Sequence, residues 1–357
     1  MQDRVPLYQG RVRLTPVSGQ ENTYDMVRAD EPTQEGTPLN KATFLKDDTA
    51  ALFGLGTDAV PDDAFVALTD CFAQIVVTTL PNTEVTASLN GKTVSATSDS
   101  SGLAILKIHG YGVWTISANI YGLSVSTDYE IKAMSQHELA LFPDLESVGW
   151  DAISSISESG NASSIWSVGD KKTVAIDGVN YQVQIIGFDH DTKTSGGKAG
   201  ITFQLVDCLN GKYPMNSSDT NEGGWTSCAM RSSTMATLLT KLPSALQNVI
   251  KAVNKLTSAG NQSVTINTTS DKLFLLSEVE IFGSTTYSKS GEGSQYAYYK
   301  AGNSKAKKVN GSDSAWWERS PHGSNSDHFC LVNTSLANNA DSAFAAVSYG
   351  VAFGFCV

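Results

Sequence analysis

Apolar positions along this chain recur with different periods, and the changes of period divide it. Near the start, Gly10-Arg11-Val12-Arg13-Leu14-Thr15-Pro16-Val17 alternates as a strand does, because successive strand side chains point to opposite faces. A polar, acidic stretch follows to Glu35 and Gly36. Positions 39, 42, 45, 49 and 52 then share one face of a predicted helix, which Gly54 and Gly56 stop. A second short helix is predicted from Pro61 to Leu68, with Pro61 in its first turn and Asp62-Asp63 at its positive end. Two short helices between linkers bury little surface alone. Residues 1–70 therefore read as a connector that docks on a neighbour or on its own copy.

Period two takes over in residues 72–134. Runs at Gln74–Thr79, Glu84–Leu89, Thr93–Thr97, Leu103–Ile108, Val113–Asn119 and Ser124–Ile131 are separated by Pro81-Asn82, Asn90-Gly91, Asp99 to Gly102, Gly110 and Gly122. Asn90-Gly91 is a strong hairpin signal, since both central residues of a type I′ turn need positive φ. Several short strands without a helical period predict an all-β sandwich of immunoglobulin-like or related topology, read here as a spacer. Residues 135–145 are read as a bridge, with His137-Glu138 a linker pair.

From Ser147 the texture is mixed. A helix is predicted at Asp151–Glu158, a hairpin at Lys172–Ile176 and Val179–Phe188 around Asp177-Gly178, and a strand at Ile201–Val206. Thr234–Leu242 and Ser244–Leu256 read as amphipathic helices split by Pro243. Leu273–Leu276 reads as an apolar strand, followed by an irregular stretch to Lys300. Two helices among many short strands and long loops predict an α+β domain over 146–357. It carries no GxGxxG after a strand, no P-loop and no GxSxG.

Charge narrows the partners. A net charge of −11 opposes nucleic-acid binding, which needs clustered Lys and Arg. It also opposes adhesion to anionic lipid. No apolar run approaches the roughly 18 residues of a membrane span, and no Sec-type signal follows Met1. Cys71, Cys208, Cys228, Cys330 and Cys356 form no CxxC pair, so buried free thiols are expected and neither a metal nor a cofactor.

The stretch GTPLNKATFLKDDTAALFGL…AVPDDAFVAL resembles the N-terminal attachment regions of phage tail and baseplate proteins. Further on, IWSVGDKKTVAIDGVNYQVQIIGFDHD, GGKAGITFQLVD, NEGGWTSCAMR, DKLFLLSEVEIFG, YAYYK, WWERSP and GVAFGFCV occur in that order. Together they resemble a domain family of C-type-lectin-like fold found in phage and gut-bacterial proteins. The last forty or so residues resemble the variable proteins diversified by retroelements. The resemblance implies a multi-domain chain: an N-terminal helical and extended connector, an immunoglobulin-like spacer and a C-terminal C-type-lectin-like domain. It implies a virion (phage tail) protein, a trimer by analogy, that contacts other tail proteins through residues 1–70. Its host partner would be a bacterial surface protein or glycan. The competing reading is a structural baseplate or decoration protein.

The binding face is expected between Glu318 and Phe353. Phe329, Val332, Ala343 and Gly354-Phe355-Cys356-Val357 suit strand and core positions. Glu318, His322, Ser324, Asn325, Asp327, His328, Leu331, Ser335, Phe344, Val347, Tyr349 and Phe353 are the candidate ligand-binding residues. Their mixture of aromatic and small polar side chains resembles a paratope, in which aromatics give area and Ser and Asn adapt the hydrogen bonding. Asn333, Asn338 and Asn339 would suit a diversified template, in which asparagine codons are rewritten. An ordinary hydrophilic loop with core aromatics is the other reading.

Four further groups have two readings each. Trp225, Trp316 and Trp317 are core or sugar-stacking rings. Arg231 and Arg319 bind an internal partner or a ligand carboxylate. Asp189-His190-Asp191 is a solvated loop or an oxygen site for Ca²⁺. The calcium motifs of sugar-binding C-type lectins (Glu-Pro-Asn, Trp-Asn-Asp) are absent, so calcium-dependent sugar binding is not implied. Lastly, the fold also resembles the formylglycine-generating oxidases, which implies Cys330 and Cys356 as neighbours, but their apolar flanks blunt reactivity. The expectation is a binding protein and not an enzyme.

Overall fold

The computed structural model describes residues 4–35, 45–52, 55–69, 73–133 and 135–357. Among these residues it is β-rich, with several small sheets and no barrel. Residues 1–75, 107–113 and 130–137 form one compact unit; residues 76–106, 114–129 and 138–357 form another.

In the first unit, β1 (Val5–Pro6) pairs with β4 (Pro32–Gln34), and β2 (Val12–Pro16) pairs with β3 (Tyr24–Arg28). The sequence predicts the β2 strand; its partner lies in the stretch read only as polar and acidic. Ion pairs of 2.9 Å join Arg4 to Asp30 and Arg11 to Glu31. Helices α1 (Asp47–Leu52) and α2 (Pro61–Thr69) follow. Leu45, Ala50, Ala59 and Ala64 form a small core with Leu55 against it. Leu39, Ala42 and Cys71 lie outside the described residues.

All six strands predicted in the middle of the chain are present. They are β5 (Ala73–Thr78), β6 (Glu84–Leu89), β7 (Lys92–Thr97), β8 (Leu103–Ile108), β9 (Gly112–Ile120) and β10 (Leu123–Ile131). A seventh, β11 (Gln136–Ala140), occupies the segment read as a bridge. They make a four-stranded sheet in the order β10-β9-β6-β7 and a three-stranded one in the order β11-β5-β8. Alternate side chains are buried: Val85 and Ala87, Ala104 and Leu106, Trp114 and Ile116. That alternation is what a sheet with one face on a core requires. Asn90 (φ 49) and Gly91 (φ 80) make the predicted tight turn, and Asp177 (φ 52) and Gly178 (φ 79) make the other.

The C-terminal part is built on an antiparallel sheet in the order β12-β13-β14-β22. Its strands are β12 (Lys171–Ile176), β13 (Val179–Phe188), β14 (Ile201–Leu205) and β22 (Gly354–Cys356). Helix α3 (Trp150–Glu158) packs on it, with the Trp150 ring edge-on to Phe203 and Phe355 at 5.6 and 5.9 Å. Between β14 and β22 stand β15 (Val253–Ser258) with β16 (Ile266–Asp271), β17 (Lys308–Val309) with β18 (Ser312–Asp313), and the sheet β19-β20-β21. The last comprises Trp316–Pro321, His328–Asn333 and Asn339–Phe344. One apolar core joins these elements, with Phe203, Trp225, Phe274, Trp316, Trp317, Phe329 and Phe353 fully buried in it.

Four local expectations are corrected. The helix predicted over Ser244–Leu256 ends at Val249, and Val253–Ser258 is a strand. Leu246, Ile250 and Val253 fit a helical period, but Val253, Lys255 and Thr257 alternate inward, and Lys255 is drawn in by buried carboxylates. The helix predicted from Thr234 begins earlier, as a π-turn at Met230–Met235 leading into Ala236–Lys241. Leu273–Leu276 is a buried run with a single bridge, Phe274 to Gly354, and not a strand. The stretch read as irregular holds helix Glu278–Phe282, opened by a capping box between Ser277 and Glu280.

Candidate functional site

Beneath the loops of the C-terminal part lies a buried ionic network. Lys255 Nζ sits 2.8 Å from Asp191 Oδ1, 2.7 Å from Glu280 Oε1 and 2.9 Å from the Tyr296 hydroxyl. Arg319, fully buried, grips Glu280 with two nitrogens and donates to the backbone carbonyls of Leu256, Leu275 and Glu292. Burial alone raises the carboxyl pKa of Asp191 and Glu280, but Lys255 outweighs it at Asp191, as do Arg319 and Lys255 at Glu280, and both end below the ordinary range. Arg319 thus has an internal partner, and Arg231 has one in Asp271 at 2.6 Å. Asp191 also accepts from the hydroxyls of Thr202 and Tyr296, each at 2.8 Å, so its oxygens are taken by donors. Among the described residues no cluster of His, Cys, Asp and Glu is arranged to hold a metal ion.

Two side chains rising from this floor hold loops above it. Asn221, fully buried, donates through Nδ2 to the carbonyls of Asn325 and His328 at 2.7 and 2.8 Å and of His322 at 3.4 Å. Its Oδ1 accepts from Asn261 N–H at 2.7 Å. That approach needs glycine at 260: with φ +69, a Cβ there would stand 1.7 Å from the Asn221 carbonyl oxygen. Glu278, buried at the start of its helix, accepts from the backbone N–H groups of Thr286, Tyr287 and Ser288 and from the Ser288 hydroxyl at 2.7 Å. Gly323 N–H donates to Tyr287 O at 2.6 Å and joins the two loops.

What these loops present is a run of rings. Tyr287 lies 5.6 Å from His322, His322 lies 6.3 Å from His328, and His328 lies 4.2 Å from Phe344, which it faces across the β20–β21 ladder. Phe344 and Val347 are 47% and 43% exposed. His328 Nδ1 sits 2.6 Å from Asp327 Oδ1 and 3.0 Å from Asn325 Nδ2. His322 Nδ1 accepts from Ser324 N–H at 3.0 Å, and burial followed by the neighbouring His328 lowers its pKa. The edge is pinned by Asp219, which accepts from Ala346 N–H at 2.9 Å.

The candidate residues from the sequence therefore fall into groups. His322, Ser324, Asn325, Asp327, His328, Phe344 and Val347 come together. Ser335 is exposed but sits at the far end of the β20–β21 hairpin, beyond the Asn333–Asn339 pair, which itself lies about 17 Å along the strand from His328. Tyr349 is half-buried, edge-on to Trp317 at 5.0 Å. Glu318, Leu331 and Phe353 are buried and present no surface. Strand β19 is inaccessible along its whole length, so period two does not separate a wet face there. Both Glu318 carboxyl oxygens lack a hydrogen-bond partner among the described residues. Burial, with Glu278 and Glu292 near, raises its pKa well above the usual range.

Other expectations resolve as packing. Trp225, Trp316 and Trp317 are fully buried, their indole N–H groups donating to Asp271, Lys305 O and Tyr213 O. Cys330 lies on β20 and Cys356 on β22, in different sheets, and burial raises both thiols well above their usual range. Cys208 and Cys228 are pushed up to about 12 by the same cause. Tyr287, Asn221 and Glu278 are missed by the sequence reading. The Ser277–Glu280 capping signal marks Glu278's helix, and nothing local marks Asn221.

Residues 199–357 match a family described as a domain of unknown function, DUF6273. No curated protein and no solved structure matches the chain. The matched span starts just before β14, whereas the sheet that β14 completes includes β12 and β13 upstream. No helix among the described residues is long and apolar enough to cross a membrane.

Proposed function

We propose that this chain is a phage-tail receptor-binding or adhesion protein. In this reading a C-type-lectin-like C-terminal domain recognises a bacterial surface protein or glycan without catalysis. Residues 1–70 attach it to the tail, and an immunoglobulin-like spacer carries the binding domain outward. The C-terminal loops are the face diversified by retroelements. The observation that carries the reading is the ring face, Tyr287-His322-His328-Phe344, on loops staked from below by Asn221 and Glu278. Ordered aromatics beside Asn and Asp give contact area with little entropy lost on binding.

The test is adsorption of purified full-length protein to a panel of bacterial strains. Wild type is compared with a variant carrying Tyr287→Ala, His328→Ala and Phe344→Ala, and melting curves establish that both are folded. The reading expects strain-selective binding by wild type and its loss in the variant. Equal adsorption by both would transfer the role to the structural reading, a baseplate or decoration protein.

A further inference from the structure

We propose that the β2–β3 hairpin is a self-association surface, on which a second copy of this chain pairs edge to edge. Its ladder runs from Val12 opposite Arg28 to Pro16 opposite Tyr24. Residues directly opposite share a face. Val12, Leu14, Pro16, Tyr24 and Met26 therefore lie on one side, with Arg28 at its end opposite Val12, and Arg13, Thr15, Asp25 and Val27 on the other. Every residue of both strands is exposed, Leu14, Tyr24 and Met26 to 56%, 54% and 69%. A lone two-stranded hairpin is marginal in water, and a contiguous apolar face on one marks an interaction surface.

The edges point to the occupant. Ala29 N–H donates to Arg11 O and Val17 N–H to Thr23 O, both at 2.9 Å. These bonds place the odd-numbered residues in the hydrogen-bonded pairs. The backbone groups of Val12, Leu14, Tyr24 and Met26 then point outward from a sheet that has two strands among the described residues. Such an edge is a template for another strand. Let β2 of one copy run antiparallel to β3 of the next, with Arg13 opposite Asp25. In that register Leu14 meets Tyr24 and Val12 meets Met26. One register thus satisfies an ion pair on one face and two apolar pairs on the other. This self-complementarity of charge and shape commits the proposal to a second copy. Each hairpin offers one β2 edge and one β3 edge, so the contact repeats head to tail, giving a ring where the rotation between copies closes and a filament where it does not.

The inference is independent of ligand recognition, and its test reads mass and not adsorption. The molar mass of the full chain is measured by light scattering on eluting protein, with circular dichroism as the folding control. Wild type is expected to be an oligomer. Arg13→Glu and Asp25→Arg should each weaken association by roughly tenfold or more, as an attractive cross-strand pair becomes repulsive. The double variant should recover it, and Met26→Glu should give folded monomers. A monomeric wild type overturns the proposal. So does an oligomer indifferent to all four variants, or a double variant no better than its parents.

Discussion

The carboxamide of Asn221 donates to the backbone carbonyl of His328 at 2.8 Å, across 107 positions of sequence. It binds two more carbonyls of the same loop. The ring face thus takes its shape from a residue that no ligand on that face would touch. Replacing it by alanine removes all three bonds; the His328 carbonyl keeps the His322 N–H, whereas the Asn325 and His322 carbonyls lose their Asn221 donor. The expected cost is about 2 kcal/mol of stability, read by chemical denaturation. Faster amide exchange over residues 322–328 is expected beside it. Unchanged exchange there would show that the loop is held by other contacts.

Gly260→Ala should be worse than an ordinary glycine substitution. The added Cβ would collide with the Asn221 carbonyl, and the φ of +69 is itself unfavourable for alanine. A loss of at least about 2 kcal/mol is expected, together with the loop opening of the Asn221 variant. A neutral outcome would mean that the 221 and 260 backbones separate at no cost.

Arg319 and Glu280 invite a paired experiment. Arg319→Met leaves Glu280 buried with Lys255 as its remaining cation, and a loss of about 3–5 kcal/mol is expected. Arg319→Met with Glu280→Leu should lose less than the single change, because the stranded charge is removed as well. Additive losses in denaturant titrations would contradict that account.

Glu318 points the other way. It is a buried acid, its pKa raised well above the usual range by burial, and its oxygens bond to nothing among the described residues. Glu318→Met keeps the volume and removes the desolvated carboxyl. A gain of about 1–3 kcal/mol is expected, seen as a higher melting temperature. A drop would show that the carboxyl holds a partner such as a buried water.

Glu292 gives a pH signature. Burial, only partly offset by Arg319, lifts its pKa from 4.5 to about 7. Between those values the folded state keeps a proton that the unfolded chain has released. Its contribution is therefore full below 4.5 and lost as pH rises to about 7. Glu292→Gln mimics the protonated form, with Ser258 N–H and the Ser320 hydroxyl still in reach. The variant should gain on wild type as pH rises through that window. Comparing the two removes the opposite contributions of His190 and His322, whose pKa values burial lowers. Parallel stability curves would refute the shift.

The middle of the chain was legible because each of its strands has one buried face, and burial on alternate residues writes period two directly into the sequence. The hairpin at Asp177-Gly178 was legible for the same local reason, a turn that only certain residues make. Val253–Ser258 was not. Its buried Lys255 breaks the apolar alternation, and the carboxylates that accept it come from Asp191 and Glu280, far away in sequence. Likewise, aromatic and polar composition located the face around His322, His328 and Phe344, but it could not rank exposure. Leu331 and Phe353 look like His328 and Phe344 in sequence, and only the packing of sheet on core buries the first two. Asn221 and Glu278 act through main-chain groups of distant loops, which leave no trace in side-chain pattern.

That last property has a consequence for change over time. Asn221 grips carbonyls, and Glu278 grips N–H groups together with one serine hydroxyl. Apart from that hydroxyl, these are atoms that almost every amino acid supplies. Substitutions at 287, 322, 325 and 328 would therefore pass beneath the notice of the anchors. A library randomised at those positions should retain its fold while its surface chemistry is rewritten, the separation of tolerance from novelty that a recognition surface needs in order to evolve.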